Sequence, residues 1–308
     1  MFKMKEVIEV SKVSSSEYII KDKNGITVGR IHTIDFNRNS KSCLIRLKYY
    51  RSDNVLLLKE CINSICSKLF NIKDLFKLSF IIDDDLNITP FDELGFKLEG
   101  ILDNNISENG IYTSVYLFGI TSIQFNNRTT KLGLSIEGKK IKLKLLTPQY
   151  TNDMLSYYIK NKTHLENFEP LRDSSFYTES IQKKILSENY RQYLNGTSIN
   201  LGIFKNDRLI GKIQLSNIVY GIFKNAFIGY SIDENEQGKG YMKDAVNTLV
   251  NYAFNEMELH RIEASTLIDN LKSQNVLISC GFTKLGINKN YLNINGEWKD
   301  HISFYKTR

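Results

Sequence analysis

A chain of 308 residues, of which 42% are apolar and 24% charged, is long enough to form two soluble globular domains. It has no apolar run near the roughly 18 residues of a membrane-spanning helix and no secretory signal at 1–6, so we expect an untargeted cytoplasmic protein without a membrane partner. The charges of 1–121 cancel, which leaves the net charge of +7 in 122–308 without a dense basic block and argues against nucleic acid as a partner.

The first half of the chain contains helix and strand signals but no metal-site spacing. Cys61 and Cys66 occupy helix-like positions, and an Asn-Gly turn at 109–110 leads into an aromatic-rich strand at 111–118. The spacing of the four cysteines, which include Cys43 and Cys280, fits no metal site, so we expect reduced core thiols and no metal.

The second half predicts a mixed α/β domain. Thr147 fits a helix N-cap followed by proline, and Gly281 fits the left-handed residue that ends a helix. In chain order, the predicted elements are a strand at 141–145, a helix start at Thr147-Pro148, strands at 201–204 and 209–215 around an Asn206-Asp207 turn, a strand at 226–232, a helix with a buried face from Met242 to Met257, a strand at 261–267 and a short helix at 272–280.

An internal repeat relates the two halves. The string at 95–101, which begins Gly-Phe and contains a second glycine, reappears at 281–287. In each copy an Asn-Gly turn follows and leads into an aromatic-rich strand. The string at 28–31 likewise matches the string at 210–213. The repeat therefore predicts the same order of strands and helices twice.

The two halves differ at one loop, Gln237-Gly238-Lys239-Gly240, which joins the predicted strand at 226–232 to the next helix. Glycines let the backbone approach a ligand closely, and the N–H groups of a first helical turn favour phosphate oxygens. The opposite string in the first half, Asp53-Asn54-Val55-Leu56, has no glycine and would place a carboxylate beside the phosphates. The loop therefore predicts an anion site in the second half alone.

These differences define the predicted domain organisation. The polar stretch from 122 onward has little periodicity and predicts a linker at 122–139. We predict a structural or interaction domain at 1–121, which has kept its core-forming residues, and a catalytic domain at 140–308.

The motifs of the second half resemble those of the GCN5-related N-acetyltransferases (GNAT). The pattern Gln/Arg-x-x-Gly-x-Gly/Ala here reads Gln237, Gly240 and Met242, so the last position departs from it. The second half is most similar to the ribosomal-protein-alanine acetyltransferases, in strings at 161–173, 215–221, 228–232, 260–262 and 291–301. This resemblance covers nearly all of 140–305. It implies tandem α/β (α+β) domains, each a mixed, mostly antiparallel twisted sheet flanked by helices, with the first half as a degenerate copy.

The resemblance also implies acetyl-CoA as co-substrate and a set of site residues. Backbone amides of the glycine loop would hold the diphosphate, and the strand that precedes it would pair with the pantetheine arm. The implied cofactor-binding residues are Ser231, Ile232, Gln237, Gly238, Lys239, Gly240, Tyr241, Met242, Asn270 and Ser273. The implied acceptor-binding residues are Asn167, Glu169, Arg172, Tyr291, Trp298 and His301. The candidate catalytic residues are Ser273, as the acid near the sulfur, and Asp300.

The implied reaction is attack of a neutral amine on a thioester, and the usual base is missing. Phe227 stands where many members of the superfamily have a glutamate that acts as the base, and Leu277 stands where others have a tyrosine that acts as the acid. At pH 7 about a tenth to a fifth of an α-amine is neutral, against about four parts in ten thousand of a lysine ε-amine. We therefore predict an α-amine acceptor, a protein N-terminus.

Two other functions remain open from the sequence. A small amine such as a polyamine, an aminoglycoside or a peptide antibiotic would suit an acidic pocket wall, which Glu166, Glu169 and Asp173 could supply. A non-catalytic module that senses CoA would also retain the glycine loop without the usual catalytic residues. Because members of the superfamily often pair as dimers, we expect the duplicated halves to form an internal pseudo-dimer, and the chain to be a monomer.

Overall fold

The computed structural model describes residues 8–51, 54–71, 74–108, 110–127 and 134–308. The chain divides into two compact units, Met1–Gly133 and Leu134–Arg308. Each unit is a mixed sheet flanked by helices, which confirms the predicted fold class. The division falls inside the stretch that we expected to be a linker. Asp53 and Asn109, which the sequence singled out, lie outside the described residues.

The first unit is built on a seven-stranded sheet in the order β1-β2-β3-β4-β5-β7-β6, in which β4 and β5 run parallel and the other neighbours antiparallel. Its strands are β1 Glu9–Lys12, β2 Glu17–Lys21, β3 Thr27–Asn37, β4 Ser42–Tyr49, β5 Lys77–Asp83, β6 Lys97–Glu108 and β7 Ile111–Thr121. Its helices are α1 Val55–Phe70, α2 Thr89–Glu93 and α3 Ser122–Asn127. The sequence had placed α3 in the linker.

One face of this sheet packs against α1 and α2. Buried positions recur along α1 at helical spacing and include Cys61 and Cys66, as the sequence predicted. The cysteines Cys43, Cys61, Cys66 and Cys280 are all buried, and none of these four is in a disulfide bond. The core is strongly aromatic because the rings of Phe80, Phe91, Phe96 and Phe118 pack against one another, with centroids 4.8–5.5 Å apart.

The second unit is built on an eight-stranded sheet in the order β14-β15-β13-β12-β11-β10-β9-β8, in which β12 and β13 run parallel. Its strands are β8 Ser135–Glu137, β9 Lys142–Leu145, β10 Ile199–Lys205, β11 Arg208–Val219, β12 Asn225–Ile232, β13 Arg261–Leu267, β14 Thr283–Ile294 and β15 Glu297–Thr307. Its helices are α4 Thr151–Lys160, α5 Lys162–Leu165, α6 Glu179–Leu194, α7 Tyr241–Asn255 and α8 Leu271–Ser279.

Local sequence explains how these elements begin and end. Asn206 and Asp207 both adopt positive φ in the predicted β10–β11 turn, and Gly281 ends α8 with a φ of +81°. Thr147 precedes a 3₁₀ turn at Pro148–Tyr150 without a side-chain capping bond, so the α-helix starts only at Thr151. A Cβ at Gly211 would lie 2.6 Å from the carbonyl oxygen of Ser231, so close strand pairing requires glycine there.

The two sheets share part of their strand order, as the internal repeat predicted. The order β3-β4-β5-β7-β6 in the first unit corresponds to β11-β12-β13-β15-β14 in the second. The units differ before these strands, because α4–α6 follow β9, whereas residues 13–16 connect β1 directly to β2. Among the described residues, no helix combines the length and apolar character needed to cross a membrane.

Candidate active site

The centre of the second sheet contains an opening between two neighbouring strands. Strands β12 and β13 pair only where Asn225–Phe227 meets Arg261–Glu263. Beyond that point β12 continues beside β11, and β13 continues beside β15. We call the gap between 228–232 and 264–267 the wedge. Because 228–232 has no partner strand on this side, its main-chain groups can hydrogen-bond an extended ligand.

The glycine loop follows directly on β12 and starts α7. Gly238 and Gly240 have φ of +74° and +78°. No atom lies within 4 Å of a Cβ built on Gly238, so backbone conformation and not packing requires a glycine there. Gly240 is the N-cap of α7 and offers no side-chain capping bond. Within 134–308, the N–H groups from 238 to 243 bond to no backbone carbonyl, and they form a donor set suited to phosphate.

Ion pairs hold the turn that leads into this loop. The carboxylate of Asp233 is buried, bonds to Lys160 and accepts from the backbone N–H of Asn235 at 3.0 Å. Glu236 binds both Arg208 and Lys239. The Lys239 hydrogen bond, with that from Arg208, keeps the pKa of Glu236 below its ordinary value. The carboxylates of Asp233 and Glu236 are therefore neutralised by their own partners.

Gln237 connects two helices across the loop. Its Oε1 accepts from Lys272 Nζ at 2.8 Å, and its Nε2 lies 2.8 Å from His164 Nε2. Because the amide oxygen receives the lysine, the amide nitrogen donates to His164, and the imidazole accepts through Nε2. The family motif residue thus joins the first turn of α8 to α5.

Ser273 lies in the first turn of α8 and contacts a tyrosine of β12. Asn270 caps this helix, since its Oδ1 accepts from the N–H of Ser273 at 3.1 Å. The hydroxyl of Tyr230 is 3.0 Å from Ser273 Oγ and 3.2 Å from the Ser273 carbonyl oxygen. Burial raises the pKa of Tyr230, so the phenol stays protonated. Tyr230 was not among the predicted site residues, although strand alternation places its side chain on the opposite face of the sheet from that of Ser231.

The other face of the wedge meets α4 and the loop after α5. Tyr157 donates from its hydroxyl to Ser231 Oγ at 2.9 Å. The carboxylate of Glu169 is 3.5 Å from Lys212 Nζ and 3.6 Å from an Arg172 nitrogen. Two cations thus share the one negative charge of Glu169.

The β14–β15 hairpin holds the remaining predicted residues. Asp300 accepts from Lys289 Nζ at 2.5 Å and from the N–H of Asn290 at 2.8 Å. His301 is buried, and its Nδ1 carries the proton because it faces the Lys299 carbonyl at 2.9 Å. Asp300 and Ser273 therefore belong to separate hydrogen-bond groups.

A groove of about 810 Å³ lies between this hairpin and the loop after α5. Asn167, Asp300 and the end of β13 line it. Asn295 donates to the Glu166 carbonyl at 2.5 Å and so joins the two walls. Trp298 is 63% exposed, and Tyr291 is also exposed, so neither closes a pocket in this conformation.

The structure thus links the predicted cofactor residues more closely than the acceptor residues. Ser231, Gln237, Asn270 and Ser273 all bond to groups around the wedge or the glycine loop. The acceptor residues divide between the Glu169–Arg172 ion pair and the hairpin. In the part of the chain that the structure describes, no cluster of His, Cys, Asp or Glu could hold a metal ion.

Comparison with known proteins identifies relatives of the second unit. The acetyltransferase (GNAT) domain model matches residues 141–283. The chain is 38% identical over 168 residues to the "Probable N-acetyltransferase YjcK" of Bacillus subtilis, which covers 54% of this chain and 93% of that protein. It is 35% identical over 154 residues to the [ribosomal protein uS5]-alanine N-acetyltransferase of Escherichia coli, over 48% of this chain and 78% of that protein.

A solved structure shows the same fold. The ribosomal-protein-S5-alanine acetyltransferase of Vibrio fischeri is 33% identical, with a TM-score of 0.54. The similarity covers 56% of this chain and 96% of that one. These three similarities span about half of this chain.

Proposed function

This chain belongs to the GNAT acetyltransferase family, and from that premise we propose that it transfers acetyl from acetyl-CoA to the α-amine of a protein N-terminus. The observation that carries the proposal is the combination of the open wedge with the uncapped glycine start of α7. The relatives named for ribosomal-protein alanine support this acceptor class. Free, buried cysteines fit a reducing cytoplasm.

The residues present fit acetyl-CoA, which supplies the acetyl group as a thioester. The free N–H groups from 238 to 243 would hold the diphosphate, and the open space beside Gly238 leaves room for it. The unpaired edge at 228–232 would bind the pantetheine amides, and one of its N–H groups would donate to the thioester oxygen. This donor set suits the diphosphate and the pantetheine arm of the cofactor.

Ser273 is proposed as the group that donates a proton toward the leaving sulfur. Its Oγ lies 3.0 Å from the Tyr230 hydroxyl, and the serine proton is free when that hydroxyl donates to Oγ instead of to the Ser273 carbonyl oxygen at 3.2 Å. Asp300 is a weaker candidate, because Lys289 and the Asn290 N–H occupy its carboxylate. We therefore propose that Asp300 orients the hairpin and does not take part in the proton transfer.

The acceptor assignment rests on protonation chemistry at the wedge. Phe227 supplies no base where β12 and β13 separate. At pH 7 about a tenth of an α-amine is already neutral and can react without a base, whereas a lysine amine is almost wholly protonated. A site without a strong base therefore favours α-amines by about two orders of magnitude.

Glu169 gives little support for a polycationic acceptor, because it already balances Lys212 and Arg172. Asp173 caps its own turn by accepting from the N–H of Ser175 at 2.7 Å, and its hydrogen bonds with the Ser175 side chain and N–H lower its pKa, so it stays charged. Of these two carboxylates in the acidic wall that a polyamine would need, only Glu169 is thus neutralised. The small-amine and CoA-sensing alternatives become outcomes of the acceptor experiment.

The test is thiol release from acetyl-CoA with a matched set of acceptors. We expect turnover with an Ala-initiated peptide and about a hundredfold lower kcat/KM with the Nα-blocked peptide that contains lysine. Spermidine serves as the polycation control. Preference for the blocked lysine peptide or spermidine would contradict the α-amine proposal, and CoA binding without turnover of any amine would favour the sensor.

We also propose that residues 1–121 form a structural or interaction domain in a monomeric chain. The family and structure matches cover about half of the chain, and the first unit has its own aromatic core. Light scattering on the full chain tests the oligomeric state. A mass near 35.6 kDa supports the monomer, and a mass near twice that value contradicts it.

A further inference from the structure

Two lysines beside the glycine loop carry charges that no carboxylate neutralises in the described part of the chain. Lys140 Nζ donates to the backbone oxygen of Lys239 at 3.3 Å, and Lys272 Nζ donates to Gln237 Oε1 at 2.8 Å. Both acceptors are neutral oxygens. Lys239 lies in the loop itself, but its ammonium is 2.9 Å from Glu236. The charges of Lys140 and Lys272 therefore stay available to an anion.

The β8–β9 turn places Lys140 over the start of α7. Asp244 accepts from the backbone N–H groups of Lys139 at 3.1 Å and Lys140 at 2.6 Å. A Cβ at Gly138 would lie 2.8 Å from Asp244 Oδ2, so the turn packs directly against the helix. Lys140 Nζ is 3.4 Å from the position of a Cβ on Gly240.

We propose that Lys140 and Lys272 supply the positive charge that neutralises the CoA diphosphate, and that Asp244 positions Lys140 for this contact. The inference rests on the proposed function, because it concerns the same cofactor site. Backbone N–H groups orient phosphate oxygens but carry no net charge, and ammonium groups beside them add a charge-assisted contact. Lys140 lies just before the residues that the family model matches, so that match does not assign it.

The direction in which CoA affinity changes when the Asp244 carboxylate is removed tests the proposal. A carboxylate in the first turn of the phosphate-binding helix repels phosphate, so its removal alone would tighten CoA binding. If Asp244 instead holds Lys140 in place, its removal releases the β8–β9 turn and weakens binding. The two effects have opposite directions, and the positioning role predicts the second.

The experiment is calorimetric titration of the full chain with CoA, dephospho-CoA and pantetheine. We expect Lys140→Ala and Lys272→Ala each to weaken CoA binding about five- to tenfold and Lys140→Arg to restore most of it. Lys142→Ala is the matched control, because Lys142 lies on the same hairpin but pairs with Glu137 at 2.6 Å. The same loss with dephospho-CoA and none with pantetheine supports contact with the diphosphate.

Three results would overturn the inference. Equal affinities of Lys140→Ala and Lys142→Ala exclude a role for Lys140, and a loss confined to CoA moves the contact to the 3′-phosphate. Tighter CoA binding by Asp244→Ala excludes the positioning role, provided that its melting temperature is unchanged. Absence of CoA binding by the wild-type chain would instead refute the proposed function itself.

Discussion

Each unit contains one parallel strand pair, and the two pairs differ in how far they stay together. In the first unit Ser42–Arg46 pairs with Lys77–Ile81, and the guanidinium of Arg46 then reaches Asp83 at 2.5 Å. In the second unit pairing stops at Phe227. Strand registers place Gly229 at the position of Arg46, so the second unit has no side chain where the first has the guanidinium of this ion pair.

The helices after these strands differ in the same sense. The N-cap of helix α1 is Asn54, whose side chain accepts from the N–H of Leu57 at 2.9 Å. The N-cap of helix α7 is Gly240, which has no side chain to bond the first N–H groups of the helix. A shared strand order is therefore compatible with two different strand openings and helix starts. In our proposal the open strand pair and the uncapped helix start make the cofactor site, and both depend on single residues.

The largest effect is expected when the closed pair is copied into the second unit. Gly229→Arg with Leu267→Asp places the Arg46–Asp83 ion pair at the corresponding positions of β12 and β13. The new side chains fill the wedge and cover the free edge of β12. We expect CoA binding to weaken about a hundredfold or more in titration calorimetry.

The reciprocal change serves as the control for that experiment. Arg46→Gly with Asp83→Leu removes the ion pair from the first unit but leaves Asn54 at the start of α1. It should give no second CoA site. Wild-type affinity in the Gly229→Arg, Leu267→Asp variant would show that the wedge does not bind the cofactor.

A smaller loss is expected when the capped helix start is copied. Gly240→Asn keeps the left-handed backbone, which asparagine tolerates, and adds an amide that competes for the N–H groups of α7. We expect CoA affinity to fall about ten- to fiftyfold. Gly221→Asn is the matched control, because Gly221 also has positive φ but lies in the β11–β12 turn, where no atom is within 4 Å of a built Cβ. Equal losses in both variants would contradict this account of Gly240.

Catalysis should separate from binding at Tyr230, which corresponds by register to the buried Leu47 of the first unit. Tyr230→Leu removes the hydroxyl that contacts Ser273, so we expect kcat to fall about tenfold while CoA affinity changes less than about threefold. Tyr230→Phe should show the same fall in kcat as Tyr230→Leu if the loss of the hydroxyl causes it. A normal kcat in Tyr230→Phe would assign the effect to lost packing.

The smallest expected effect is on acid stability around the loop. Hydrogen bonds from Lys239 and Arg208 lower the pKa of Glu236 from an ordinary value of 4.5. A carboxylate whose pKa is lower in the folded than in the unfolded chain stabilises the fold at pH values above the unfolded-state pKa. This contribution disappears as the pH falls through the folded-state pKa. The melting temperature of Glu236→Gln should therefore lie below wild type near pH 7 and converge with it toward about pH 3. A constant difference would contradict this ion-pair account.

Much of this fold was predictable because its signals are local. The alternation at 261–267 gave the bounds of β13, and the Asn206-Asp207 turn gave the β10–β11 hairpin. The glycine loop was found because positive φ and helix starts leave clear traces in sequence. Helix α3 was missed because its six residues are too few to show periodicity.

The contacts around the site could not be predicted from sequence. The Tyr230–Ser273 bond joins residues 43 positions apart, and the Asp244–Lys140 bond joins residues 104 positions apart. Nothing local in the sequence records such pairings. The same holds for Glu169, whose charge looked available until Lys212 was seen beside it. The repeat predicted a shared strand order, while common descent of the first unit remains a prediction.

The number of CoA molecules that the full chain binds tests the central claim most directly. If an open strand pair and a glycine-started helix make the site, titration calorimetry should give one CoA per chain, because among the described residues only those of the second unit have both features. Two CoA molecules per chain would show that the closed first unit also binds. No binding at all would show that neither feature makes a cofactor site.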